Sequence, residues 1–337
     1  MEHRFPPTSC AFAVYFSGGI QYCFDSAPKG LPTIVEVERS LAQIVWQKTA
    51  LYGVPVLARR NGFVIFDFEK SPEYAYAPMP AAAGDRPQRP GKSDMEAATA
   101  RLQQNYRRFQ YMSAFLMALH AGLAETMKAG TPVQAPLNPV NYLKAWETGG
   151  TWKVTTPQGH ATEGANFLAQ DLKLGVLDHA VRVMERSDEV FGEDGLKILA
   201  LCLTAGHQYS LHQFESAHLI AWSVIEKQIN KIWADLMGAL DEKNGGHTKI
   251  NSKRRETLTG RDYTASIVTQ MLSLHGKIDD NMLSELNKAR QTRNDFAHNL
   301  GAVTWQDAAW AIGAANQLIT KVVGLVVSCQ TAITSYG

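Results

Sequence analysis

Cysteine is scarce in this chain, with four in 337 residues, and Cys10, Cys23, Cys202 and Cys329 form no C-x-x-C pair. That spacing excludes a zinc knuckle or a dense disulfide framework and makes a reducing cytoplasm the expected compartment. Long apolar runs are missing as well. The stretch Met1–Thr8 contains Glu2, His3, Arg4 and two prolines and lacks the apolar core of a signal peptide. The most apolar segment, Leu318–Ile333, is interrupted by Lys321, Ser328 and Gln330. It falls short of the roughly 20 clean residues of a membrane span, and we read it as a core or dimer-interface helix. Nor is there an excess of one charge, since 33 Lys+Arg stand against 32 Asp+Glu, a formal net charge of +1. Affinity for nucleic acid phosphates must then come from a local basic patch and not from the whole surface. What is present is the ordinary composition of a globular protein, 45% hydrophobic and 19% charged. At roughly 150 residues per domain, the length predicts about two domains.

Hydropathy patterning divides the chain. Phe12, Val14 and Phe16 alternate up to Gly18-Gly19, and Ile20, Tyr22 and Phe24 resume the alternation, which predicts a hairpin with a two-residue glycine turn. A second hairpin is predicted from Val54–Ala58, the turn residues Asn61-Gly62 and Phe63–Phe68. Between them, Leu41, Ile44, Val45 and Lys48 have helical spacing, predicting a helix over Val35–Leu51. Residues 1–92 thus read as a small α+β module that closes in a Pro-rich linker, with Pro78, Pro80, Pro87 and Pro90. Ser93-Asp94-Met95-Glu96 has the spacing of a capping box and predicts a long helix to about Lys128. Gly130 and Pro132 signal its end, and residues 93–163 read as that helix with a connecting segment, including a weak hairpin around Trp152–Val154.

Residues 164–337 change character to helices almost throughout. The predicted helices are Asn166–Val190, Leu196–Ala205, Leu211–Leu240, Tyr263–Leu274, Met282–Asn299 and Trp305–Ile333. Leu211, Phe214, Ala221, Trp222, Ile225, Ile232 and Leu236 form one apolar stripe on the third of these. The expected fold class is therefore mainly α, a C-terminal helical bundle with a smaller N-terminal α+β module.

One stretch of that half carries chemistry, Arg293-Asn294-Asp295-Phe296-Ala297-His298. On a helix, Arg290, Asn294 and His298 share a face, while Arg293 lies about 140° from His298. Among the ten histidines only His298 follows an arginine at a spacing of four to six intervening residues. The residue types suit RNA cleavage without a metal. A guanidinium binds phosphate bidentately and stabilises the charge that builds up in the transition state. An imidazole titrates near neutrality and takes or gives the proton of a ribose 2′-OH or a leaving 5′-oxygen. Asn294 or Asp295 is placed to fix its tautomer. The plainer reading is a solvated polar face with His298 favoured by the helix C-terminus.

With those residues in view, roughly Asn166 to Ser335 resembles the HEPN family (higher eukaryotes and prokaryotes nucleotide-binding domains). The resemblance rests on Arg293-Asn294-x-x-x-His298, which fits the family's R-x4-6-H motif. The preceding helix with Ala221-Trp222-Ser223-Val224-Ile225-Glu226 and the closing helix from Trp305 add to it. It implies a metal-independent endoribonuclease leaving 2′,3′-cyclic phosphate ends, of the kind found in toxin–antitoxin and anti-phage defence systems, with no cofactor. It also implies a homodimer in which motifs from two protomers line one cleft, one histidine acting as base and the other as acid. A non-catalytic nucleotide-binding or dimerisation module, or an antitoxin-like partner, remains the alternative.

A second basic feature is Lys249, Lys253, Arg254, Arg255 and Arg261, offset before Arg261 only by Glu256. Together with Arg290 it reads as a site for the RNA backbone, or else as an exposed solubilising loop. Arg101, Tyr106, Arg107, Arg108, Phe109 and Tyr111 on the long helix can stack on bases, but arginine stems along an apolar surface are the commoner outcome. His207, His212 and His218 lack the i, i+4 spacing of a helical metal pair. Glu226 is open to surface pairing or a place near the cleft.

Overall fold

The computed structural model describes residues 11–14, 22–24, 43–60, 64–76, 92–126, 170–242, 250–260 and 264–327. These fall into two compact units, one within 1–116 and 136–185, the other within 117–135 and 186–337. The fold is mainly α with a small α+β module. Among the described residues no helix is long and apolar enough to cross a membrane.

The first unit contains β1 (Ala11–Val14), β2 (Tyr22–Phe24), β3 (Ile44–Thr49), β4 (Pro55–Arg59), β5 (Val64–Asp67) and β6 (Gln170–Leu172). It takes helix α1 (Lys92–Thr126) as far as Leu116 and helix α2 (Gly175–Phe191) as far as Glu185. Four strands form an antiparallel sheet in the order β1-β5-β4-β3, and β2 pairs β6 in parallel. The second predicted hairpin is present, with Val56 opposite Phe66 and Ala58 opposite Val64. The first is not: its two strands exist, but β1 pairs β5 and β2 pairs β6. A local glycine turn signal has lost to long-range pairing, which β-strands accept from any sequence-distant edge of matching register. The helix predicted over Val35–Leu51 is also corrected, because Ile44–Thr49 is a strand on β4. Ile44, Val45, Trp46 and Thr49 are the β-branched and aromatic types that suit a pleated surface, and three apolar positions, Leu41, Ile44 and Val45, are too few to separate the two periods.

Every residue of β5 is buried, so the sheet is covered on both faces there. One cover is α1, whose Tyr111 and Phe115 meet Phe66 edge-on, at ring-centroid distances of 6.0 and 5.2 Å. Burying a residue such as Phe66 stabilises by about 2–3 kcal/mol. Among the basic side chains of α1, Arg108 is a packing element. Arg108 is fully buried, donating from Nη2 to Glu69 Oε1 at 2.7 Å and from Nε to the Tyr74 carbonyl at 2.7 Å. Arg107 pairs with Glu73, and Arg101 lies over the Tyr76 ring. Tyr111 donates to the Leu51 carbonyl at 3.0 Å, and burial raises its phenol pKa well above the ordinary value, with Tyr74 adding to the rise. Of that set Arg101, Tyr106 and Arg107 are exposed.

The second unit contains α3 (Asp194–Ser210), α4 (Phe214–Glu242), α5 (Ser252–Thr259), α6 (Ala265–Leu274), α7 (Asp280–Asn299) and α8 (Trp305–Val323). Helix α4 is central, in contact with α3, α6, α7 and α8. Its predicted stripe is buried at Ala221, Trp222, Ile225, Ile232 and Leu236, while Leu211 stays exposed ahead of the helix. Small residues on α8, namely Ala308, Ala311, Ala314 and Ala315, are buried and allow the close approach of the two helices. At the other end of α3, Lys227 donates to Asp194 at 2.7 Å and holds that carboxyl below its usual pKa.

Three predicted boundaries are corrected. The helix predicted from Asn166 starts at Gly175, after strand β6. The closing helix ends at Val323, where Gly324 takes a left-handed φ of 75° that favours glycine. The basic segment expected to be a loop forms α5 over Ser252–Thr259, started by the Asn251 side chain accepting from the Arg254 amide. The Pro-rich linker, the Gly130-Pro132 stop and the hairpin around Trp152 lie outside the described residues.

His120, in the part of α1 that belongs to the second unit, is buried, its Nε2 makes no hydrogen bond, and burial lowers its pKa to about 4. A depressed histidine stabilises the fold fully above its unfolded value near 6.5, and that contribution is lost as pH falls towards 4. The unfolding free energy is expected to drop by roughly 3 kcal/mol over that window from this residue alone. Urea melts at pH 7 and pH 4.5 measure it, and His120→Leu should remove this part of the slope. An unchanged slope in the variant overturns the assignment.

Candidate functional site

Helix α7 begins with Asp279 accepting from the Met282 amide at 2.8 Å and buries Met282, Leu286 and Ala289. Continuing that spacing of four, three and four brings Arg293 onto the same stripe, at the border of the core, and its side chain is half-buried. Its Nη1 donates to Asn294 Oδ1 at 3.1 Å. His298 is in the last turn and exposed, on a flank about 140° away. Arg293 and His298 therefore lie on different faces of α7.

The two residues expected to fix the His298 tautomer have other hydrogen-bond partners. Asn294 Oδ1 accepts from Arg293, and Asp295 Oδ1 accepts from Asn299 Nδ2 at 2.9 Å. Asp295 instead shapes the helix end. Leu300 follows in a left-handed conformation, φ 53° and ψ 35°, which L side chains rarely adopt, and is 83% exposed. The Gly301 amide then donates to the Asp295 carbonyl at 3.3 Å, and a Cβ on Gly301 would stand 1.9 Å from Asp295 Oδ2. Gly301→Ala is accordingly expected to cost about 1 kcal/mol by displacing that carboxylate. In an Asp295→Ala background the same change should cost nothing, a coupling that thermal melts of the four proteins measure. Equal losses in both backgrounds would show that the carboxylate is not what Gly301 accommodates.

Helix α8 is fixed by a full capping box: Thr304 Oγ1 accepts from the Asp307 amide, and Asp307 Oδ2 accepts from the Thr304 amide at 3.1 Å. Beyond it, Trp305 and Trp310 are exposed by 47% and 46%, and Lys288 of α7 lies over the Trp310 ring. Such indoles were legible only as apolar positions of a helix, and nothing in their spacing marks them as surface groups.

The predicted RNA-binding residues are spread over several places. Lys253, Arg254 and Arg255 are exposed on α5, while Lys249 and Arg261 lie outside the described residues. Arg255 faces Asp241 at 4.0 Å, which also accepts from the Ile250 amide at 3.3 Å. These residues, with Asn251, Ser252, Glu256 and Thr259, line an open cleft of about 590 Å³. Arg290 is half-buried, and its Nε is enclosed without a hydrogen-bond partner. Glu226 on α4 is half-buried. Among the described residues no group of three or more His, Cys, Asp or Glu side chains is arranged to hold a metal ion. One buried histidine missed as anything but a metal candidate, His218, contacts the main chain of both α7 and α8. Its only sequence signal is a polar residue inside the α4 stripe.

No family model, curated protein or solved structure matches this chain.

Proposed function

We propose that the chain is a metal-independent endoribonuclease of the HEPN type, acting in the cytoplasm as a toxin or anti-phage effector. The observation that carries this reading is the pairing of an exposed His298 in the last turn of α7 with a half-buried Arg293 whose guanidinium Asn294 orients. In the reaction, an imidazole removes the proton of a ribose 2′-OH and the 2′-oxygen attacks phosphorus. The bond to the 5′-oxygen breaks, and that oxygen takes a proton as it leaves. A guanidinium at the non-bridging oxygens stabilises the added charge. Because Arg293 and His298 point about 140° apart on one helix, the reaction calls for two copies of the chain, each supplying one of the two motifs that face the phosphate. Lys253, Arg254 and Arg255 on α5, with Lys249, Arg261 and Arg290, supply the cations that hold the RNA backbone.

That same separation favours a second reading, a non-catalytic nucleotide-binding or dimerisation module or an antitoxin-like partner. Incubating the purified chain with RNA in EDTA tests both. Cleavage to 2′,3′-cyclic phosphate and 5′-hydroxyl ends is expected. Intact RNA under activating conditions, with wild type, Arg293→Ala and His298→Ala equally harmless in cells, overturns the nuclease reading. Stable co-purification with a second, toxic chain would favour the antitoxin.

A further inference from the structure

We infer that His218 is a positioning residue, a buried clamp that holds both ends of the segment carrying Arg293 and His298. His218 is 0% exposed on α4. An imidazole enclosed in this way is costly unless its nitrogens find partners. Both face a carbonyl oxygen: Nε2 lies 3.0 Å from that of Ala289 on α7, and Nδ1 lies 3.2 Å from that of Asp307 on α8, so the neutral ring donates to one of the two and the doubly protonated ring to both. Each of these carbonyls already serves its own helix, Ala289 accepting from the Arg293 amide four residues on, and each has a second lone pair to offer.

The two contacts bracket the candidate site. Ala289 is the last buried residue of α7, and from Arg290 to Ala302 no side chain is buried. Burial resumes at Val303, followed by the capping box of Thr304 and Asp307. The Arg293–His298 stretch, the left-handed Leu300 and Gly301 thus form a span without its own hydrophobic anchors, fixed at its two ends. His218 touches the main chain at both ends, so the distance between them follows from one ring. A side chain with no hydrogen to donate removes the bond that ties α4 to this main chain and frees the span to drift. The geometry that matters to catalysis is sensitive at this scale, since a misplacement of about 1 Å costs about 10²-fold in rate.

The positioning role rests on the nuclease reading, whereas the clamp itself does not. Two measurements keep them apart. In hydrogen exchange, His218→Leu should speed exchange of the amides over residues 293–299 by tenfold or more, with the buried amides of α4 and α8 unchanged, as for a local opening. In single-turnover cleavage, His218→Leu should lower the rate constant by about 10²-fold with the RNA concentration at half-saturation unchanged. His218→Gln, which presents a donor near the Nε2 position, should restore both readouts to within about threefold, because a Gln amide can still donate to Ala289. Unchanged exchange in His218→Leu overturns the clamp. Local exchange that rises without any loss of cleavage overturns the positioning role. A wild-type chain that cleaves no RNA defeats the nuclease reading, and exchange still decides the clamp.

Discussion

Alanine at position 298 or 293 is expected to lower RNA cleavage by roughly 10²- to 10⁴-fold, the range for removing a general acid–base or a charge-stabilising donor. The two substitutions test the chemistry cleanly for different reasons. His298 is exposed on the last turn of α7 and has no buried contact to lose, so its removal should change stability by no more than about 0.5 kcal/mol. A large activity loss with an unchanged melting temperature then belongs to the imidazole. Arg293 is half-buried on the stripe of Met282, Leu286 and Ala289, and its alkyl stem contributes to packing. Lysine is the informative replacement there. It keeps a positive charge and most of the stem but loses the planar fork, so Arg293→Lys should fold like wild type and still lose most of the rate. Single-turnover cleavage of an end-labelled RNA, read beside thermal melts, separates the effects. If His298→Ala and Arg293→Lys both cleave within about threefold of wild type, the motif is not the reacting centre.

The contrast between those residues also shows what was legible in the sequence. The helices of the C-terminal half were readable because α4, α7 and α8 bury long periodic stripes, and period is the strongest local signal. The stripe likewise gave the angle between Arg293 and His298, since helical geometry alone sets it. The roles of Asn294 and Asp295 were not legible. Asp295 turns to Asn299 and the backbone at Gly301 because Leu300 reverses the chain there, and no residue at that position announced a left-handed turn. Strand partners were hidden for the same reason. The glycine pair after Phe16 is a valid hairpin signal, but β1 pairs β5 instead, and pairing across fifty residues leaves no local trace. Helix α5 was missed because none of its residues is buried, so it has no hydrophobic period to read. His218 stood in the sequence as one histidine among apolar neighbours, and only the approach of α7 and α8 gives its two nitrogens their meaning.

The largest stability effect is expected from Glu69→Ala, a loss of about 3 kcal/mol in denaturant unfolding, argued from its partner and not from itself. Arg108 is 0% exposed, with its guanidinium 3.6 Å from the Tyr76 ring centroid and 5.4 Å from that of Phe68. Its counter-charge is Glu69 at 2.7 Å, the carboxylate side chain being 30% exposed. Removing that carboxylate takes a close counter-charge from a buried cation, and its remaining interactions, the aromatic faces and the Tyr74 carbonyl among them, compensate only part of its lost hydration. The partial exposure of Glu69 sets the effect at the lower end of the 3–5 kcal/mol typical of broken buried pairs, because water can reach the vacated side. Replacing both charges tests the cause. Arg108→Met with Glu69→Gln puts an apolar chain of similar length beside Phe68 and Tyr76, and such exchanges are often neutral or better. The double variant should therefore be more stable than Glu69→Ala alone. If Glu69→Ala and the double variant lose the same free energy, the loss of that counter-charge is not the source of the cost, and Glu69 matters only through its packing.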